Sequence, residues 1–273
     1  MNSRVKHLVN GRLTDQVSVL DRGFRYGDGC FETMLVRNGA IRLWNRHYAR
    51  LSESCSRLGI YPDFGRSELE KELESLIDGA ESAVLRLTVT RGVSEGGYGI
   101  DQTAVPTRVA SLLPAKRHPD RYKETGIDVG ICKTRLSRNP LLAGIKHLNR
   151  LEQVLARAEW RDELAEGLLC DDRGFVVEGT ITNVFIVEGD TVATPLLDQC
   201  GVSGVMRSEL MERMLALGIK CTETNIDRNR LMTADECFLS NAVIGIWPVK
   251  KIDNYELKPA NISRILLREI ESL

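Results

Sequence analysis

Three short stretches of the chain combine residue types that could act on a small molecule. The first is Gly144-Ile-Lys-His-Leu-Asn149, in which Lys146 stands where an irregular segment runs into a helical pattern. Flanked by Ile145 and Leu148, such a lysine has its pKa lowered and offers a neutral amine that can attack a carbonyl. Spacing alone does not single it out, because most lysines are solvated surface groups. The second is Glu178-Gly-Thr-Ile-Thr-Asn-Val-Phe185, where a carboxylate follows the apolar run Phe175-Val-Val177. At the end of a buried strand a carboxylate needs a cationic partner. The protonated ring nitrogen of an aromatic cofactor would serve, whereas in isolation an exposed turn glutamate explains the residue as well. The third is Cys200-Gly-Val-Ser-Gly-Val-Met-Arg207, which opens a helix with Met206, Leu210, Met214 and Leu217 facing inward. Free amides at a helix start bind anions, phosphate above all, although most glycine-rich starts are simple caps.

Composition narrows the partners. The 273 residues are 42% hydrophobic and 27% charged, with 37 basic against 38 acidic side chains and a net charge of −1. No basic field argues for nucleic acid, and a small-molecule substrate is the expected partner. No stretch approaches the ~18 apolar residues of a membrane span, and none of signal-peptide length opens the chain. Seven scattered cysteines form no C-x-x-C and have no nearby histidine pair, so reduced thiols in the cytoplasm and no metal are expected.

The elements that must position these groups alternate between strands and helices. Asn10-Gly11 and Asn38-Gly39 signal hairpins within 6–13 and 31–43. A helix is predicted over 45–58, capped by Asn45, striped by Tyr48, Leu51, Cys55 and Leu58, and stopped by Gly59. Another starts at Ser67 with Glu70 completing a capping box and Leu69, Leu73, Leu76 and Ile77 buried. Strands follow over 85–90 and 107–113, and Pro114–Asp120 reads as a linker. Beyond it come a strand over 127–132, a helix near 148–162 with Leu148, Leu151, Val154, Leu155 and Ala158 on one face, and short strands over 168–194. A helix from Ser203 to Gly218, a strand near 236–240 and a helix near 262–272 complete the chain. The order implies an α+β protein: a small two-layer domain over 1–114 and a larger, barrel-like one over 120–273 that carries Lys146.

Residues 178–207 resemble the class-IV aminotransferase signature throughout: Glu-x-Thr-x-x-Asn-Val-Phe, then Val192-Ala-Thr194, then Val202-Ser-Gly-Val-Met-Arg207. The likeness extends from Val19-Leu-Asp-Arg-Gly23 and Tyr26-Gly-Asp-Gly-Cys-Phe-Glu-Thr33 to Trp247-Pro-Val249, nearly the whole chain. The resemblance implies fold type IV, a homodimer, and pyridoxal 5′-phosphate held between two domains as a Schiff base on Lys146. It also implies that Glu178 faces the pyridine nitrogen. Arg50, the amides of Val205 and Met206, and Asn241 would bind the phosphate.

Three positions distinguish branches of that family. Branched-chain enzymes have Phe-Glu-Gly where this chain has Phe31-Glu32-Thr33. D-amino-acid enzymes carry an Arg-x-His that is here Gly96-Gly97-Tyr98, and transaminases offer Thr near Asn241. These positions, with the run Gly144–Gln153, are similar to the lyase branch, which splits 4-amino-4-deoxychorismate to 4-aminobenzoate and pyruvate for folate. The expectation is therefore a lyase, functionally linked to the synthase that makes its substrate. Lys146 would move the proton, Thr33 would assist the leaving group, and Phe31, Arg91 and Tyr98 would face the substrate. Thr33 reads equally as a β-branched strand residue. The alternatives are a D-amino-acid or branched-chain aminotransferase on the same cofactor, and a non-catalytic protein that kept the fold.

Overall fold

A computed structural model describes residues 5–161, 163–257 and 261–271. The chain divides into two compact units, Met1–Lys116 with Lys146–Asn149, and Arg117–Ile145 with Arg150–Leu273. Lys146 thus belongs to the first unit and not, as expected, to the second. The reason lies in its main chain, which pairs with a strand of the first unit.

In the first unit, β1 (Lys6–Val9) and β2 (Arg12–Leu13) form a hairpin, followed by α1 (Arg22–Tyr26), β3 (Gly29–Arg37) and β4 (Ala40–Ile41). Then come α2 (Trp44–Leu58), α3 (Arg66–Ile77), β5 (Ser82–Thr90) and β6 (Thr107–Pro114). Asn10-Gly11 and Asn38-Gly39 both take positive φ, the backbone that a two-residue type I′ hairpin requires. The sheet order is β2-β1-β6-β5-β3-β4, antiparallel at every pairing. Helices α2 and α3 pack on it, burying Leu51, Cys55, Leu69, Leu73, Leu76 and Ile77. Gly59 ends α2 in the left-handed conformation and donates to the carbonyls of Cys55 and Ser56. Two predicted caps are absent: Leu43 and not Asn45 precedes α2, and Gly65 and not Ser67 precedes α3. Asn45 instead accepts from Arg66, and Glu70 from Trp44 and Arg66, so neither side chain is left for capping.

The second unit contains α4 (Arg121–Glu124), β7 (Ile127–Leu136), α5 (Leu151–Arg157), β8 (Glu166–Asp171), β9 (Val176–Gly179), β10 (Asn183–Glu188) and β11 (Thr191–Pro195). It ends with α6 (Val205–Ala216), β12 (Lys220–Thr224), α7 (Arg228–Thr233), β13 (Glu236–Asn241), β14 (Gly245–Ile252), β15 (Tyr255–Glu256) and α8 (Ile262–Ile270). Strands β10-β13-β14-β7-β8-β9 run side by side, and β9 pairs back onto β10 at Glu178↔Asn183, which closes a barrel. One face of its strands carries a packed core including Ile127, Val129, Leu168, Val184, Leu239 and Trp247. Each fully buried large side chain contributes about 1.5–3 kcal/mol. On the other face Phe185 and Phe238 stack at 4.8 Å, and α6 packs on β12 and β13.

Two expectations for this unit change. The helix predicted near 148–162 is only α5, because His147 bridges to Cys30 and the Leu148 amide donates to Gly29 O, and Leu151, Val154 and Leu155 are exposed rather than inward. Met206, Leu210 and Met214 are buried on α6, but that helix stops at Ala216 and leaves Leu217 half-exposed.

Candidate active site

In the first unit the site is built on β3. The amide of Phe31 donates to Lys146 O at 3.0 Å, that of Leu148 to Gly29 O at 3.0 Å, and Cys30 and His147 form an antiparallel bridge. His147 thus forms an isolated bridge at the start of β3, and the main chain of Lys146 lies beside Phe31. Its Nζ stands 4.4 Å from the Phe31 ring centroid. Thr33 lies two residues along the same face, half-buried and directly opposite Arg86 on β5. The Arg86 guanidinium sits 4.3 Å from the same Phe31 ring, so one patch of sheet collects an amine, a hydroxyl, a ring and a second cation. Among the described residues Arg86 makes no hydrogen bond or ion pair, and burial lowers its pKa. Sequence reasoning passed over Arg86 as one polar residue of an alternating strand; only its register with Thr33 marks it.

The opposite face of β3 holds an ion cluster. Glu32 accepts from Arg50 Nε at 2.8 Å and Nη2 at 2.5 Å, and contacts His47 Nδ1 at 2.6 Å. Burial would raise the Glu32 pKa, but the Arg50 charge and the His47 and Arg50 hydrogen bonds outweigh it and bring the carboxyl to about 2. Burial in turn holds His47 below its ordinary value, against the Glu32 bond that raises it. His47 therefore donates through Nδ1 as a neutral ring, and its buried Nε2 has no hydrogen-bond partner among the described residues. Arg50, expected at a phosphate, is fixed in orientation by this bidentate carboxylate.

Two expected substrate contacts have other surroundings. Arg91 is buried, forks onto Asp28 at 2.8 and 3.0 Å, and donates to the carbonyls of Gly59 and Leu58 at 2.7 Å each. These bonds fix the Arg91 guanidinium within the first unit. Tyr98 is 87% exposed, with its ring 5.3 Å from that of Tyr26.

In the second unit Glu178 lies at the barrel seam. Its buried carboxylate accepts from Val202 N at 2.8 Å and from Gln153 Nε2 at 3.3 Å. Asn183, its partner across the seam, donates from Nδ2 to Val202 O at 2.8 Å. Both sides of the Val202 residue are thus held just before Gly204, the N-cap of α6. A Cβ on Gly204 would fall 1.8 Å from Asn183 Oδ1, so only glycine permits this approach. No side chain caps α6, and the first-turn amides of Val205 and Met206 have no intrahelical acceptor. This helix start is a cradle for an anion. Asn241, expected at the phosphate, instead donates to Ile181 O at 3.0 Å and accepts from the amides of Val243 and Ile244 at 2.8 and 2.9 Å. Its side-chain amide thereby closes the 241–245 turn.

No cluster of side chains suited to a metal ion occurs among the described residues, and no helix among them is long and apolar enough to cross a membrane. A family model described as amino-transferase class IV matches residues 29–252. The aminodeoxychorismate lyase of Vibrio harveyi is 35% identical over 92% of this chain and 92% of its own length. A putative branched-chain-amino-acid aminotransferase of Methanocaldococcus jannaschii is 32% identical over 96% of this chain and 92% of its own. The crystal structure of 4-amino-4-deoxychorismate lyase from Pseudomonas aeruginosa superposes with a TM-score of 0.94 at 43% identity, covering 97% of this chain and 98% of that one.

Proposed function

The chain belongs to the amino-transferase class IV family, and we propose that within it the protein is a pyridoxal-5′-phosphate-dependent lyase that splits 4-amino-4-deoxychorismate into 4-aminobenzoate and pyruvate. The observation that carries the reading is the patch on β3 and β5 where Lys146, Phe31, Thr33 and Arg86 meet, in a chain 43% identical to a lyase of known structure.

The residues present fit the cofactor. An amine at Lys146 answers its aldehyde, the carboxylate of Glu178 answers its ring nitrogen, and the uncapped α6 start answers its phosphate. Once bound, pyridoxal phosphate supplies a protonated pyridine ring that acts as an electron sink. Val205 and Met206 would hold the phosphate through their amides, with Arg50 as the side-chain donor whose orientation Glu32 sets. Asn241 would contribute indirectly, by shaping the 241–245 turn.

Lys146 would hold the cofactor through its Nζ, and that same amine would serve as the base. Nζ of Lys146 then removes the proton on the amine-bearing ring carbon. The C–O bond to the enolpyruvyl group on the neighbouring carbon breaks, and the ring becomes aromatic. The departing group takes up a proton to become pyruvate, and the Thr33 hydroxyl hydrogen-bonds it as it leaves. Phe31 packs beside the Lys146 amine, and Arg86 pairs with a substrate carboxylate. Aromatisation drives the step, so the protein's contribution is orientation and proton placement.

Transamination is the second reading, favoured by the 32% identity to the Methanocaldococcus protein. Absorbance of the cofactor-loaded protein separates the two. D-alanine or a branched-chain amino acid bleaches the visible band of a transaminase and leaves that of a lyase unchanged. We further propose a cytoplasmic homodimer; the exposed apolar Leu151, Val154 and Leu155 of α5 support self-association. Sedimentation of the purified protein at the monomer mass would contradict it.

A further inference from the structure

We propose that Glu166 is a positioning residue that sets both groups by which the second unit is read to hold the cofactor, the Glu178 carboxylate and the amides at the start of α6. The inference rests on the cofactor reading above. Glu166 opens β8 and is 1% exposed. It forms no ion pair among the described residues; every partner is a neutral dipole. Oε1 accepts from Gly167 N at 2.9 Å, from Thr180 N at 3.1 Å and from the Thr180 hydroxyl. Oε2 accepts from Ile181 N at 3.1 Å and the Thr182 hydroxyl at 3.2 Å. Burial pushes the Glu166 pKa up, and the Thr180, Gly167 and Ile181 bonds work against it.

A buried carboxylate with no counter-charge costs stability that an apolar residue would not. What this one gains is the shape of a single turn. Residues 179–182 wrap it so closely that a Cβ on Gly179 would stand 2.2 Å from Thr182 Oγ1 and 3.1 Å from Glu166 Cδ. Gly179 N closes the turn onto Thr182 O at 2.7 Å. The two residues that flank the turn are Glu178 and Asn183, and they grip the N–H and the C=O of Val202. A displacement of the turn therefore moves the carboxylate read as facing the pyridine nitrogen together with the peptide that places Gly204 and α6. The Ile181 carbonyl, which Asn241 clips, moves with it.

The test is cofactor binding to the full-length apoprotein, with no turnover involved. Pyridoxal phosphate and its analogue with carbon in place of the ring nitrogen are titrated into wild type, Glu166→Gln and Thr182→Val. Either orientation of a glutamine amide places an NH2 against a backbone donor, so the turn must shift. Glu166→Gln should weaken pyridoxal phosphate binding about tenfold or more, the scale of one unmet buried donor. It should also narrow the preference for pyridoxal phosphate over the carbon analogue, because Glu178 no longer meets the ring nitrogen squarely. Thr182→Val, which keeps the carboxylate, should shift both quantities the same way by about threefold, and it decides the matter if the glutamine variant does not fold. A wild type that binds pyridoxal phosphate, with variants that keep both its affinity and its preference, overturns this inference alone. So does equal weakening of both ligands, the mark of a general structural loss. A wild type that binds no pyridoxal phosphate overturns the cofactor reading and the inference with it.

Discussion

The main-chain amide of Phe31 donates to the carbonyl of Lys146 at 3.0 Å, although the two residues are far apart in the chain. The lysine is thus placed by backbone pairing, and its Nζ stands 4.4 Å from the Phe31 ring centroid. Position and reactivity are separable here, and several outcomes depend on that separation.

Lys146→Ala should fold normally, because the 146–148 segment docks on β3 through main-chain bonds that alanine keeps. Circular dichroism and Tm should match wild type, with stability changed by about 0.5 kcal/mol or less. Borohydride reduction of the cofactor-loaded protein, followed by peptide mapping, should label wild type at Lys146 and leave the variant unlabelled. Label on a peptide lacking Lys146 would refute the assignment.

Arg86→Met should raise KM by roughly 10- to 100-fold, the worth of one charged hydrogen-bonding pair with a carboxylate. The effect on kcat should be smaller, and the cofactor spectrum should not change. Arg86→Lys should recover part of the loss. Unchanged KM in the methionine variant would mean that Arg86 only packs on Phe31.

Thr33→Ala should slow product release by roughly 10²-fold with the cofactor spectrum unaltered, the scale of one general-acid contact. Thr33→Ser, which restores the hydroxyl, should recover most of the rate. Equal rates in wild type and the alanine variant would make Thr33 a strand residue and nothing more.

Glu32 governs the acid limb of stability. Its folded pKa of about 2 lies below the ordinary 4.5, so its contribution is complete above that value and is lost as pH falls from about 4.5 toward 2. The neutral, buried His47 acts in the same direction, since acid must charge it in the unfolded chain first. Glu32→Gln removes the buried charge that Arg50 and His47 share and should cost about 3–5 kcal/mol at neutral pH. In a plot of Tm against pH, the variant should lose the slope between about pH 4.5 and 2 that wild type shows. A parallel slope in both proteins would place the acid sensitivity elsewhere.

Chemistry was more legible than surroundings in this sequence. Lys146, Glu178 and the glycine-rich 200–207 stretch stand out through the family resemblance, since each alone reads equally as an ordinary lysine, a turn glutamate or a helix cap. Asn10-Gly11 and Asn38-Gly39 specify their hairpins because few other residues tolerate positive φ there. Tertiary partners decide the rest. The capping box at Ser67 fails because Glu70 is drawn to Trp44 and Arg66. The helical pattern from Leu148 onward misleads because His147 bridges to Cys30 and Gly29 O takes the Leu148 amide. Arg86 and Glu166 are unremarked in one dimension; the first matters through its register with Thr33, the second through a turn closed around it. The bonds of Arg91 to Asp28 and to two carbonyls are likewise invisible in one dimension.

The central claim is that this protein cleaves and does not transfer. Purified protein loaded with pyridoxal phosphate should be given 4-amino-4-deoxychorismate with no keto acid present, and 4-aminobenzoate and pyruvate measured together. Both products should appear in equal amounts, released continuously over many turnovers. Release of neither, with rapid amino transfer from D-alanine or a branched-chain amino acid to 2-oxoglutarate by the same preparation, would contradict it.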